Sequence, residues 1–144
     1  MRIRTPAFWY TPGRGKLLAP LGHLYGLAGR TVRARISPQR ASVPVICVGN
    51  LVAGGAGKTP TVMSITDRLV ALGYRPHILM RGYGGRLKGP IQADPARHSW
   101  QDTGDEALLL SRHAPVWIGA DRVASAHTAV AAGANVLVMD DGFQ

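Results

Sequence analysis

Apolar and polar positions along the 144-residue chain follow two periods, one typical of strands and one typical of helices. Short continuous apolar runs, as expected of strands buried on both faces, occur at 45–48, 78–80, 116–119 and 136–139. Between them, apolar residues recur at helical spacing over 61–72, 105–112 and 122–132. Gly73 and Gly133 are placed to end two of these helices. We therefore predict an α/β fold with a mostly parallel sheet flanked by helices.

The first 42 residues form a separate zone in which apolar residues recur at helical spacing between Leu17 and Val32. Residues 1–66 carry nine Lys or Arg and no acid, whereas 67–144 carry eight of each, so the formal charge of +9 lies in the first segment. Such a basic segment indicates an anionic partner, either a membrane surface or nucleic acid. We predict an N-terminal amphipathic helical arm at 1–42 and a nucleotide-binding domain at 43–144. A helix packed on its own core is the alternative for the arm.

Other features of the sequence narrow the class of protein. No apolar run is long enough for a transmembrane helix and the start lacks the pattern of a signal peptide, which predicts a cytoplasmic location. The single cysteine, Cys47, lies in an apolar run and is predicted to be a small buried residue. The five histidines show no metal-ligand spacing, so no zinc site is expected. Residues 86–104 are polar and contain Pro and Gly, which predicts a long surface loop.

The strongest chemical signal is a glycine-rich segment between a predicted strand and a predicted helix. Glycines let backbone N–H groups approach phosphate oxygens, and the N-terminus of the helix adds partial positive charge. This is the P-loop pattern, in which the lysine binds the β- and γ-phosphates and the following hydroxyl binds Mg²⁺. The pattern usually begins with Gly, where this chain has Val52. The predicted ATP-binding residues are Val52, Ala53, Gly54, Gly55, Ala56, Gly57, Lys58 and Thr59.

Two carboxylate pairs accompany the P-loop. Asp140 and Asp141 follow the strand at 136–139, where an acid completes the magnesium site of a P-loop protein. Asp105 and Glu106 begin a predicted helix, either as capping residues or as a base and a metal ligand near the γ-phosphate. A GTPase would have Gly three residues after Asp140, and a partitioning ATPase would have an additional Lys before the Gly-Gly pair. This chain has neither residue.

Five motifs occur in a fixed order: Val48–Pro60, Arg81-Gly-Tyr-Gly-Gly85, Gly104-Asp-Glu106, Asp121-Arg122 and Asp140-Asp-Gly-Phe-Gln144. Together they closely resemble the tetraacyldisaccharide 4′-kinase family of lipid A biosynthesis, and the resemblance covers essentially the whole chain. It implies a kinase that uses ATP and Mg²⁺ to phosphorylate the 4′-hydroxyl of a tetraacyldisaccharide 1-phosphate. It also implies a peripheral location at the cytoplasmic face of the inner membrane, with the arm contacting lipid rather than nucleic acid. No obligate protein partner is expected.

The resemblance also implies roles for individual residues. Asp105 corresponds to the catalytic base, and Lys58 remains the phosphate-binding residue. Tyr83 and Arg122 correspond to residues near the lipid substrate or the phosphates. The residues that correspond to those around Mg²⁺ are Thr59, Glu106, Asp140, Asp141 and Gln144.

Two differences from the family affect what can be expected of the chain. The family usually has Pro where this chain has Ala107, which concerns helix geometry more than chemistry. The family also continues past Gln144 with a His and a C-terminal part, so we expect the 144-residue chain to bind nucleotide and to turn over little lipid. Two other hypotheses stay open. One is a nucleotide-dependent assembly ATPase or metallochaperone, and the other is a non-catalytic fragment that binds membranes through residues 1–42.

Overall fold

A computed structural model describes residues 19–34, 38–49 and 57–140 of the chain. The chain divides into two compact units, Met1–Gln39 and Arg40–Gln144. The first unit contains helix α1 (Ala19–Ala34), and Pro20 lies in its first turn, where a missing N–H costs little. None of the described helices is long and apolar enough to cross a membrane. The large apolar side chains exposed on α1 are Leu21, Leu24, Tyr25 and Leu27.

The second unit is built on one five-stranded sheet, in the order β1-β5-β2-β4-β3. Of the described strands, β1, β5, β2 and β4 are parallel, and the short β3 pairs antiparallel to β4. The sequence prediction of a mostly parallel α/β sheet is therefore confirmed. The strands are β1 (Val45–Val48), β2 (Pro76–Met80), β3 (Ile91–Gln92), β4 (Val116–Ile118) and β5 (Val136–Asp140).

Helices cover both faces of this sheet. On one face, side chains of α2 and α4 pack with Ile78, Val116 and Val138; on the other, α5 packs with Leu79 and Leu137. The alternation of side chains along each strand produces these two cores. The helices are α2 (Lys58–Ala71), α3 (Trp100–Thr103), α4 (Asp105–Leu110) and α5 (Arg122–Ala131).

The prediction that the first strand is buried on both faces was wrong. β1 has the predicted bounds, but it pairs with β5 alone and lies at one edge of the described sheet. Val45 is 39% exposed and Cys47 is exposed rather than buried, whereas Val48, on the opposite face of the strand, is buried. An apolar run identifies a strand, whereas its place in the sheet depends on pairing with residues some 90 positions later, such as the register of Val45 with Leu137.

The segment predicted as one long loop, 86–104, also contains regular structure. β3 and α3 lie within it, and backbone N–H groups of Arg86 and Leu87 donate to the carbonyls of Gln101 and Asp102. The backbone N–H and hydroxyl of Ser99 both donate to the carboxylate of Asp102, at 2.9 and 2.6 Å. These bonds, the hydroxyl bond first, lower the pKa of Asp102. Elements of two and four residues are too short to show a hydrophobic period, which explains why the sequence did not reveal them.

Candidate functional site

The site lies where the carboxyl ends of three parallel strands meet. β1 and β5 pair with Val48 opposite Asp140, and β5 pairs on its other side with β2. β5 therefore ends in a carboxylate directly beside the strand that leads toward the glycine-rich segment. Ligands of open α/β sheets bind outside the carboxyl ends of the strands.

Helix α2 begins at this edge, three residues earlier than the predicted Thr61. Gly57 precedes it with φ of 73°, a left-handed conformation that glycine adopts without steric cost. Pro60 is the third residue of the helix, where its missing N–H would have no helical acceptor. The Thr61 hydroxyl donates to the carbonyl of Gly57 at 2.9 Å. Because α2 begins at Lys58, Lys58 and Thr59 lie in its first turn. Backbone N–H groups and the helix dipole favour an anion there.

A cleft of about 190 Å³ opens beside this turn. Its described lining includes two cations, Lys58 and Arg81, and two carboxylates, Glu106 and Asp140. Asp140 is only 6% exposed, which places one acid deep at the end of β5. The described residues that line the cleft are Lys58, Thr59, Met80, Arg81, Gly82, Tyr83, Thr103, Gly104, Glu106, Ala107 and Asp140.

A hydrogen bond joins the start of α2 to the carboxylate pair at the start of α4. The Thr59 hydroxyl donates to Oε1 of Glu106 at 3.1 Å, across 47 positions of sequence. The fold thus brings together two residues that the sequence assigned to a magnesium site. Asp105, the predicted base, is exposed at the first position of α4, and its Oδ1 accepts the backbone N–H of Glu106 at 3.0 Å. Among the described residues the cleft lining includes Glu106 but not Asp105, whose role stays a prediction.

The two residues that the resemblance placed near the lipid substrate or the phosphates lie at different points around this edge. Tyr83 lines the cleft and its hydroxyl accepts a hydrogen bond from Nη1 of Arg81 at 3.0 Å. Arg122 begins α5, and its Nη1 donates to the backbone carbonyl of Asp140 at 3.4 Å. Sequence reasoning gave no role to Arg81 or to the buried Thr103, although Arg81 begins one of the five motifs. A basic residue directly after a buried strand was the signal that could have found it.

Several predicted site residues lie outside the described part of the chain. They are the first five positions of the P-loop and two residues after β5: Val52, Ala53, Gly54, Gly55, Ala56, Asp141 and Gln144. The structure therefore covers Gly57, Lys58 and Thr59 of the glycine-rich segment, and Asp140 of the terminal pair. The roles assigned to the others stay predictions.

The second unit has a mostly parallel sheet, a Gly-Lys-Thr turn at a helix start and an acid at the end of the neighbouring strand. These features define the P-loop class of α/β phosphate-binding proteins. Comparison with known proteins then narrows the class. The family model described as tetraacyldisaccharide-1-P 4'-kinase matches residues 14–144. The chain belongs to this family.

Individual relatives agree with the family match. The chain is 55% identical to a tetraacyldisaccharide 4'-kinase from Parvibaculum lavamentivorans and 56% identical to one from Gluconacetobacter diazotrophicus, over 99% of its length in both cases. It also resembles the crystal structure of the "apo" form of LpxK from Aquifex aeolicus in complex with ATP, with a TM-score of 0.73, 33% identity and 88% of the chain covered. The chain spans 43–44% of the length of these three proteins.

Proposed function

We propose that the chain carries the ATP-binding part of a kinase that phosphorylates the 4′-hydroxyl of a tetraacyldisaccharide 1-phosphate. The observation that carries this proposal is the cleft in which Lys58, Thr59, Glu106 and Asp140 meet at the carboxyl edge of the sheet. Family membership supplies the substrate class, and the similar structure holds ATP.

The residues of the cleft fit a magnesium ion by donor chemistry. Mg²⁺ prefers oxygen ligands and is commonly held by one or two carboxylates together with substrate phosphates and waters. The Thr59 hydroxyl lies 3.1 Å from a Glu106 carboxylate oxygen, and Asp140 lines the same cleft. Within residues 19–34, 38–49 and 57–140, no group of three or more His, Cys, Asp or Glu side chains could hold a metal ion. The site proposed here is of a different kind, since it combines two carboxylates with one hydroxyl. Thr59, Glu106 and Asp140 would hold Mg²⁺, which supplies positive charge against the phosphate oxygens.

The proposed reaction transfers one phosphoryl group. The 4′-hydroxyl oxygen forms a bond to the γ-phosphorus, the bond from that phosphorus to the β–γ bridging oxygen breaks, and ADP leaves. Lys58 stabilises the negative charge of the phosphates from the helix start. Asp105 accepts the proton of the hydroxyl; its exposed position at the start of α4 leaves the carboxylate accessible to a substrate.

The assay is ATP-dependent phosphorylation of tetraacyldisaccharide 1-phosphate. It is run with the 144-residue chain, alone and joined to the remaining part of the Parvibaculum relative. We expect product from the joined protein. We expect losses of about 10²-fold or more for Asp105→Asn and Glu106→Gln. Asp94→Asn, a change away from the cleft, is the matched control. ATP binding without any lipid product would contradict the proposed function.

We also propose that the first unit binds an anionic membrane surface. Its described helix exposes Leu21, Leu24, Tyr25 and Leu27, between 61% and 83% of each side chain, and the segment around it is basic. Apolar side chains and nearby cations are the combination that binds helices to anionic bilayers. In vesicle flotation, the chain should float with vesicles that contain anionic lipid. Leu24→Asn with Leu27→Asn should reduce the floated fraction, whereas Val70→Asn with Leu72→Asn should not. Equal flotation of both double variants would contradict the proposal.

A further inference from the structure

Arg81 is the charged residue of the cleft to which the proposed function gives no part. It directly follows β2, the strand beside β5, so it lies at the same carboxyl edge as Asp140. It lines the cleft together with Lys58, so a cation from the end of β2 and a cation from the start of α2 contribute to one cavity. A second cation is useful in a cleft that accepts more than one phosphate group.

Tyr83 determines how Arg81 is presented. Nη1 of Arg81 donates to the Tyr83 hydroxyl at 3.0 Å, and the guanidinium carbon lies 5.7 Å from the centroid of the Tyr83 ring. A cation near an aromatic ring is attracted to it, and the hydrogen bond adds a direction to that attraction. The two contacts restrict the rotamers of a long, exposed side chain.

The chemistry of the guanidinium indicates its ligand. It carries five N–H donors in a planar fork, and the bond to Tyr83 uses one of them. The planar fork matches pairs of oxygens on phosphate, and such charge-assisted bonds are about twice as strong as neutral ones. The proposed substrates, a nucleoside triphosphate and a lipid 1-phosphate, both present these oxygens.

We propose that Arg81 binds a phosphate group in the cleft and that Tyr83 positions its guanidinium. This inference rests on the proposed function for the identity of the two phosphate sources. The phosphate belongs either to the nucleotide or to the lipid substrate. Arg81 contacts the phosphate directly, and Tyr83 acts through Arg81.

Binding measurements on the 144-residue chain test the proposal without requiring turnover. One arm measures the Kd of ATP by calorimetry. The other measures binding of the tetraacyldisaccharide lipid in micelles, with and without its 1-phosphate. Arg81→Gln should weaken phosphate binding by about 10-fold or more in one arm, the equivalent of one or two lost hydrogen bonds to a charged group. Arg81→Lys keeps the charge but not the fork and should recover only part of the loss.

The two arms show whether Arg81 binds the nucleotide or the lipid. A raised ATP Kd assigns Arg81 to the nucleotide, whereas loss of the preference for the 1-phosphorylated lipid assigns it to the lipid. Tyr83→Phe should give a smaller loss in the same arm, because the ring remains and the hydroxyl acceptor is removed. The matched control is Arg97→Gln, at an exposed arginine that lines a different surface pocket.

If Arg81→Gln binds both ligands as tightly as Arg97→Gln does, the proposal is wrong. The same holds if the unmodified chain does not distinguish phosphorylated from unphosphorylated ligand. Failure of the proposed kinase activity is a separate result, since it is read from product formation rather than from binding.

Discussion

At the scale of single residues, the cleft depends on side chains that are far apart in sequence and adjacent in space. The hydrogen bond from Thr59 to Glu106 joins the start of α2 to the start of α4. Motif spacing identified both residues as candidates, because Gly-Lys-Thr and Gly-Asp-Glu are local patterns. The contact between them could not be predicted from the local sequence, since it follows from the packing of both helices on one face of the sheet. The same holds for Arg81, which becomes a cleft residue only through the pairing of β2 with β5.

A buried polar pair gives the second unit a pH-dependent stability. Nε1 of Trp117 donates to Nδ1 of His77 at 3.0 Å, and both side chains are buried. Burial first, and then the positive charge of Arg75, lower the pKa of His77 below 6.5. In the unfolded chain this histidine gains a proton at higher pH than in the folded chain. The stabilisation is therefore complete above 6.5 and is lost as the pH falls through the lowered pKa.

Unfolding in urea, followed by tryptophan fluorescence, measures this effect at about pH 7.5 and about pH 5.5. The free energy of unfolding should be smaller at the lower pH, and His77→Gln should reduce the difference between the two values. His127→Gln, at an exposed histidine of α5, should leave the difference as in the unmodified chain. An unchanged difference in His77→Gln would contradict the assignment.

At the scale of elements, the segment 81–85 packs directly against the junction of α3 and α4. A Cβ at Gly85 would lie 2.6 Å from the carbonyl oxygen of Asp102 and 3.0 Å from the carbonyl carbon of Thr103. At Gly104 it would lie 3.0 Å from the carbonyl oxygen of Tyr83. These close backbone contacts set the position of Tyr83 relative to the helix that carries Glu106.

Gly85→Ala should therefore push the two walls of the cleft apart. We expect lipid phosphorylation by the joined protein to fall by about 10-fold or more, because small displacements of positioning groups are costly. The Kd of ATP should change less, since Lys58 and Thr59 lie on α2. Gly84→Asn is the matched control: its φ of 82° is one that Asn tolerates, and no atom lies within 4 Å of the added Cβ. Equal losses in the two variants would show that the contact with Asp102 and Thr103 is unimportant.

The elements also show what the sequence could and could not predict. The four longer strands were predicted because each is a continuous apolar run, and helices α1, α2, α4 and α5 were predicted because each carries an apolar period. Gly73 and Gly133 have φ of 83° and 98°, as expected of residues that follow helices. The prediction failed where long-range pairing decides the outcome. β1 became an edge strand with an exposed Cys47, and β3 depends entirely on its partner β4.

In the whole molecule, the excess of positive charge ends at a different position of the chain from the boundary between the two units. All of the excess positive charge lies in residues 1–66, a segment that includes Lys58 of the P-loop as well as the first unit. The remainder balances eight cations against eight acids, four of which are Asp105, Glu106, Asp140 and Asp141. The basic segment thus suits both proposed ligands, an anionic membrane surface and a triphosphate. The acids of the second half suit a cation bound between those phosphates and the protein.

The phosphates of ATP should bind at the start of α2, where Lys58 lies. Calorimetry with the 144-residue chain, Mg²⁺ and ATP tests it most directly. We predict saturable binding that Lys58→Ala weakens by about 10-fold or more, since a charge-assisted contact to phosphate is lost. Lys88→Ala, at an exposed lysine outside the cleft, should bind ATP like the unmodified chain. Equal affinity of the Lys58→Ala and Lys88→Ala variants, or no binding by the unmodified chain, would contradict ATP binding at the start of α2.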